Sequence, residues 1–152
     1  MRTGDDINRQ ARNNGFNSFH FSLSGGEPTF HPGYLDILKH LADDASNTNY
    51  TSIHMTSNCS RPMKWFETYV EYAKPFHRAS ITASLHVEHV NTKDKMQDFA
   101  DKLNLCQEYD VQVTINQVMV PEHFERDWEN ALFFHEQGIN VTLKPQSDPT
   151  EV

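Results

Sequence analysis

An α/β fold whose parallel strands curve into a partial barrel is predicted by three features of the sequence. Short runs that alternate apolar and polar residues exchange with amphipathic helical runs, at intervals of roughly thirty residues, the size of a strand-helix-strand unit. Each strand sets a row of polar residues against its apolar row, whereas parallel sheets covered by helices on both sides read as near-continuous apolar runs. Prolines stand near helix starts and a glycine follows the last helix, where each belongs stereochemically.

The elements follow in order. A first helix is predicted over 5–14, closed by Gly15. The strand FHFSLS at 19–24 sets Phe19, Phe21 and Leu23 against His20, Ser22 and Ser24, and the helix beyond Pro32 carries Leu35, Leu38 and Leu41 at helical spacing. YTSIHMTSN at 50–58 alternates Ile53 and Met55 with His54, Thr56 and Asn58. Pro62 then opens a helix with Phe66, Tyr69, Val70 and Ala73 on one stripe. ASITASLH at 79–86 places Ala79, Ile81, Ala83 and Leu85 opposite Ser80, Thr82, Ser84 and His86, before a helix striped by Met96, Phe99, Leu103 and Cys106. VQVTINQVMV at 111–120 alternates Val111, Val113 and Ile115 with Gln112, Thr114 and Asn116. Pro121 starts a helix whose expected buried stripe is Phe124, Trp128, Ala131 and Leu132, with Gly138 as its cap. INVTLK at 139–144 closes the series with Ile139, Val141 and Leu143 facing away from Asn140, Thr142 and Lys144.

Helices can cover only the apolar face, so the polar one lines water, a ligand cavity or the lumen of a curved sheet. In a barrel of this kind the working end is where strands give way to helices. Ser24, Asn58, His86, Asn116 and Lys144 are therefore expected to converge near one mouth.

The totals narrow the function. A chain of 152 residues suits one domain with a real core. Thirteen Lys and Arg against 21 Asp and Glu give a formal net charge of −8, which argues against a phosphate backbone or an anionic membrane surface as partner and favours a small-molecule or peptide substrate. No signal-peptide core precedes the first strand and no run is long enough to span a bilayer, so the expected location is cytoplasmic. Cys59 and Cys106 are the only cysteines, too few for a disulfide framework or a Cys-only metal site.

One loop carries a chemical signal. In SLSGGEPT, Gly25 and Gly26 permit positive φ and a close backbone approach to a ligand, while Pro28 restricts Glu27 to an extended conformation and presents its carboxylate. A carboxylate beside exposed carbonyls suits a cationic group such as an ammonium. A phosphate site would use backbone amides and Lys, as in the Walker loop, which is absent.

In context, SLSGGEPTFHPGYLDILKHL resembles the second strand, loop and helix of the radical S-adenosylmethionine enzymes. TSN at 56–58, SLH at 84–86, TINQVMVP at 114–121 and LKP at 143–145 are similar to the ends of that family's third to sixth strands. The resemblance implies a partial (βα)6 barrel, here with about five parallel strands and the first strand missing. It also implies a [4Fe-4S] cluster that reductively cleaves S-adenosylmethionine to a radical that abstracts hydrogen from substrate. By the same resemblance Gly25, Gly26, Glu27 and Pro28 form the loop that holds the methionyl ammonium, Ser84 and Asn116 lie near the ribose or carboxylate, and Leu143 to Pro145, with Lys144, near adenine. Asn58 is a further candidate on that surface.

The family's Cys-x-x-x-Cys-x-x-Cys cluster loop is not in this chain: residues 1–24 hold no cysteine, Cys59 follows the third strand and Cys106 lies on an apolar helical stripe. The chain thus reads as a single truncated core domain over 1–152, with a lead-in through residue 18, repeats over 19–144 and a tail over 145–152. It is expected to be a fragment unable to generate the radical alone, the cluster belonging to the parent protein. A barrel lacking its first strand exposes a strand edge, and a homo-oligomer is expected through it. The alternatives are a metal-dependent hydrolase or metal-binding barrel using His86, Glu88 and His89 with His31 or His54, and a noncatalytic binding module.

Overall fold

The structure is a computed structural model that describes residues 18–23, 26–45 and 50–146. The helix expected over 5–14, its Gly15 cap, Ser24 and Gly25 lie outside these residues. Within them five strands alternate with four helices: β1 (Ser18–Leu23), α1 (Tyr34–Ala45), β2 (Tyr50–Ser57), α2 (Met63–Ala73), β3 (Arg78–Leu85), α3 (Lys93–Glu108), β4 (Val111–Met119), α4 (Phe124–Glu136) and β5 (Asn140–Pro145). Short 3-10 turns at Pro28–Phe30 and Pro121–His123 precede α1 and α4.

All strands run parallel and pair in chain order, β1-β2-β3-β4-β5. Parallel neighbours need a crossover between them, and each helix supplies one. The register keeps like faces together: Phe21 opposes Ile53, Ile53 opposes Ala79, and Ile81 opposes Val113. On β3 the burial alternates strictly, with Ala79, Ile81, Ala83 and Leu85 buried and Ser80, Thr82 and Ser84 half-buried. The sheet is therefore covered by helices on its apolar face, as the alternation predicts, and its opposite face is polar and accessible.

The core lies between sheet and helices. Leu38 and Leu41 of α1, Phe66, Tyr69 and Val70 of α2, and Phe99, Leu103 and Cys106 of α3 are all almost fully buried against the strands. Trp65 stacks on Tyr69 with centroids 5.7 Å apart, and Phe99 meets Phe134 edge-on at 5.6 Å. Such aromatic pairs add roughly 0.5–1.5 kcal/mol beyond the area they bury. Gly138, at φ 81°, ends α4 as expected, its N–H donating to the His135 carbonyl.

One expectation is corrected on α4. Of the predicted stripe only Ala131 is buried; Phe124, Trp128 and Leu132 are 53%, 47% and 39% exposed, and Asp127 and Phe134 point inward instead. The reason is a polar bond at the end of β4. The Asp127 carboxylate accepts the Val120 N–H at 2.8 Å and the Arg126 guanidinium at 3.0 Å, and Gln117 Nε2 donates to the Asp127 carbonyl. Drawing residue 127 inward turns residue 128, about 100° further round the helix, towards solvent.

Candidate functional site

The polar face and the strand ends hold the candidate residues. Ser84 of β3 and Asn116 of β4 are register partners, both half-buried on the accessible face, and Asn116 in turn opposes Thr142 of β5. One step further along, Lys144 opposes Val118, and both are exposed. Ser84, Asn116 and Lys144 thus lie towards the ends of β3, β4 and β5.

Glu27 sits differently from its expectation. The carboxylate is half-buried rather than presented: Oε2 accepts from Ser57 Oγ at 2.9 Å and from the Thr29 N–H and hydroxyl, while Oε1 accepts the Asn58 N–H at 2.6 Å. Its extended backbone, φ −111° and ψ 97°, and Pro28 at the next position start the 3-10 turn that brings Thr29 within reach. Charge-assisted bonds to a carboxylate are roughly twice as strong as neutral ones, so Glu27 fixes the loop to the end of β2. Beside it, Gly26 has φ 58° and open space where a Cβ would stand, which leaves the backbone approachable there.

The bonding continues beyond Glu27. Ser57 Oγ also accepts the Cys59 N–H at 3.0 Å, and Cys59, at φ 56°, turns its carbonyl to Lys102 Nζ at 3.3 Å. Lys102 is buried and pairs with Asp98 at 2.8 Å. A chain of bonds thus runs from the glycine loop through the end of β2 to α3. Lys102 and Asp127 were missed by sequence reasoning, although each lies at helical spacing from buried apolar residues, Lys102 with Phe99 and Cys106 and Asp127 with Ala131 and Phe134. A charge on an apolar stripe was the available signal.

Asn58 is held through its side-chain Oδ1, which accepts the Ser60 N–H at 3.0 Å. It lines a cavity of about 210 Å³ together with His86, His89, Lys95 and Lys102. A second cavity, about 480 Å³, opens at the ends of β4 and β5 between Met119, Pro121, Phe124, Leu143, Pro145 and Gln146. Of the residues expected at one mouth, Asn58 and His86 line the first cavity, whereas Asn116 and Lys144 line neither; Leu143 and Pro145, on either side of Lys144, line the second.

The histidines of the described residues share no metal-binding group, although His86 and His89 line one cavity. His86 Nδ1 lies 3.8 Å from Glu88, whereas His54 Nδ1 meets Ser80 Oγ at 2.7 Å, its Nε2 meets Thr82 Oγ1 at 3.2 Å, and His31 accepts the Gly33 N–H. Burial, then the neighbouring His20, holds His54 below the ordinary imidazole value. Among the described residues no group of three or more His, Cys, Asp or Glu side chains could hold a metal ion. Both cysteines are buried. Burial pushes the Cys59 thiol well up and the Cys106 thiol up to about 12. Two buried thiols in separate elements do not fit a cluster that needs three thiolates. No helix among the described residues is long and apolar enough to cross a membrane.

A search among curated proteins returned no match. A family model, that of the radical SAM superfamily, matches residues 1–135. Parallel strands alternating with helices, a polar accessible face and a glycine loop tied to the second described strand agree with that match over most of the chain, and the chain belongs to the radical SAM superfamily.

Proposed function

We propose that this chain is the S-adenosylmethionine-binding part of a radical SAM enzyme, acting on a small-molecule or peptide substrate, with the cluster ligands supplied by residues other than these 152. The observation that carries the reading is the Ser84–Asn116 pair, half-buried on the polar face of β3 and β4, with Glu27 of the glycine loop bonded to the end of the adjoining strand β2. Gly25, Gly26 and the Glu27–Pro28 peptide would hold the methionyl ammonium through backbone carbonyls, the Glu27 carboxylate serving to fix the loop. Ser84 and Asn116 would meet the ribose or carboxylate, and Asn58 would offer its amide nitrogen. The apolar β4/β5 cavity, with Leu143 and Pro145 in its wall and Lys144 beside it, suits a flat heteroaromatic ring. When bound, the cofactor would supply a sulfonium for reductive cleavage, and the residues named above would hold and orient it.

Cluster chemistry does not fit the two buried cysteines present, so the chain alone is proposed to bind without turnover. The test is calorimetric titration of the purified chain with S-adenosylmethionine. Saturable binding that Asn116→Ala weakens on the order of 10-fold, the loss of one well-made polar contact, is expected. A flat titration would sink the reading.

The same proposal includes self-association. Among the described residues β1 and β5 are the sheet edges, and an unpaired edge is a template for another strand.

A further inference from the structure

At the opposite end of the polar face from Ser84 lies a cavity of about 210 Å³ lined by His20, Ser52, Ile53, Arg78, Ser80 and Gln112. Arg78 opens β3 and stands six residues from Ser84, about 20 Å along the strand at the usual rise. Two features set this cavity apart. Arg78 donates from Nε and Nη2 to the Gln112 side-chain carbonyl at 3.3 and 3.0 Å, so its guanidinium is aimed by a neutral amide. No carboxylate is among the lining residues, and the positive charge is thus positioned without being cancelled, in a chain whose formal net charge is −8.

The surroundings are fixed as well. His20 Nδ1 bonds to Ser52 Oγ and His54 Nδ1 to Ser80 Oγ, each between adjacent strands in register. Gln112 opposes Ser80, one diagonal step from Arg78, a distance that long side chains bridge across a sheet. A guanidinium has five N–H donors in a planar fork matched to carboxylate or phosphate oxygens, and two of them serve Gln112.

We infer that this cavity is an anion-binding subsite, in which Arg78, oriented by Gln112, receives a carboxylate or phosphate group of a small ligand. It is separate from the strand-end cofactor site, and its test needs no S-adenosylmethionine, so either can fail without the other.

The experiment is a titration of the full chain with inorganic phosphate and, separately, with acetate, followed by NMR of the Arg78 and Gln112 side-chain N–H signals and the His20 ring. Saturable shifts centred on these groups are expected with at least one probe. Response to phosphate alone assigns a phosphate group, and response to acetate alone a carboxylate. Arg78→Gln should weaken the binding on the order of 10-fold, while Lys64→Gln, on the exposed surface of α2, should leave it unchanged. Gln112→Leu keeps the cation but loses its orientation and should weaken binding several-fold; it carries the test should Arg78→Gln fold poorly. Absence of saturable shifts with both probes, or binding that is the same in Arg78→Gln and Gln112→Leu as in the parent chain, would overturn the inference.

Discussion

Glu27 shows how one side chain changes role once its neighbours are known. A carboxylate that accepts from Ser57, Thr29 and the Asn58 amide is a brace, and its removal leaves donors unpaired at the end of β2. Glu27→Gln, which turns an acceptor oxygen into a donor amide, is expected to lower unfolding free energy by about 1–3 kcal/mol. Chemical denaturation measures it, and an unchanged midpoint would argue against the brace. His54 sets a second residue-scale expectation. Its folded-state pKa is held below the ordinary value, so the unfolded chain binds the proton more readily. The stability due to its neutral form is complete above about pH 6.5 and is lost as pH falls from there through the folded-state value. His54→Gln should make the decline in melting temperature over that window shallower. Cys59 and Cys106, buried and raised in pKa, should resist a thiol reagent at about pH 8 in the folded chain and both react in denaturant; rapid native labelling would contradict their placement.

Among the elements, the strands were the most legible. Alternation placed all five within one or two residues of their observed ends, because a period of two in side-chain direction is a property of the strand alone. The accessible polar face followed from the same pattern. Helix α4 was not legible to the same degree: which face turns inward depends on Asp127 meeting the Val120 amide and Arg126, and local spacing of apolar residues does not report that bond. The rotated helix makes a sharp comparison possible. Trp128→Glu should change stability by under about 0.5 kcal/mol, as a surface substitution does. Phe134→Ala should cost about 3–5 kcal/mol, as loss of a buried ring does. The reverse ranking in denaturation experiments would restore the stripe read from the sequence. The candidate site was legible as strand-end residues, but the linkage through Ser57, Cys59 and Lys102 was not, since it joins a lysine side chain to a backbone carbonyl 43 positions away in the chain.

At the scale of the molecule, strand order equals chain order among the described residues. A sheet whose described edges are β1 and β5 is expected to associate, and sedimentation velocity should show a weight-average mass that rises with concentration; a compact monomer at every concentration would count against the edge argument. The same order has a consequence for how the protein is made. Each strand finds its partner in the next one, about thirty residues on, which is one strand-helix-strand unit. A chain emerging from the ribosome at about 5–20 residues per second therefore needs only a few seconds between one strand and the next. No described strand must wait, unpaired, for a distant part of the sequence to be translated, and the sheet can grow vectorially, one crossover at a time, from β1 towards β5.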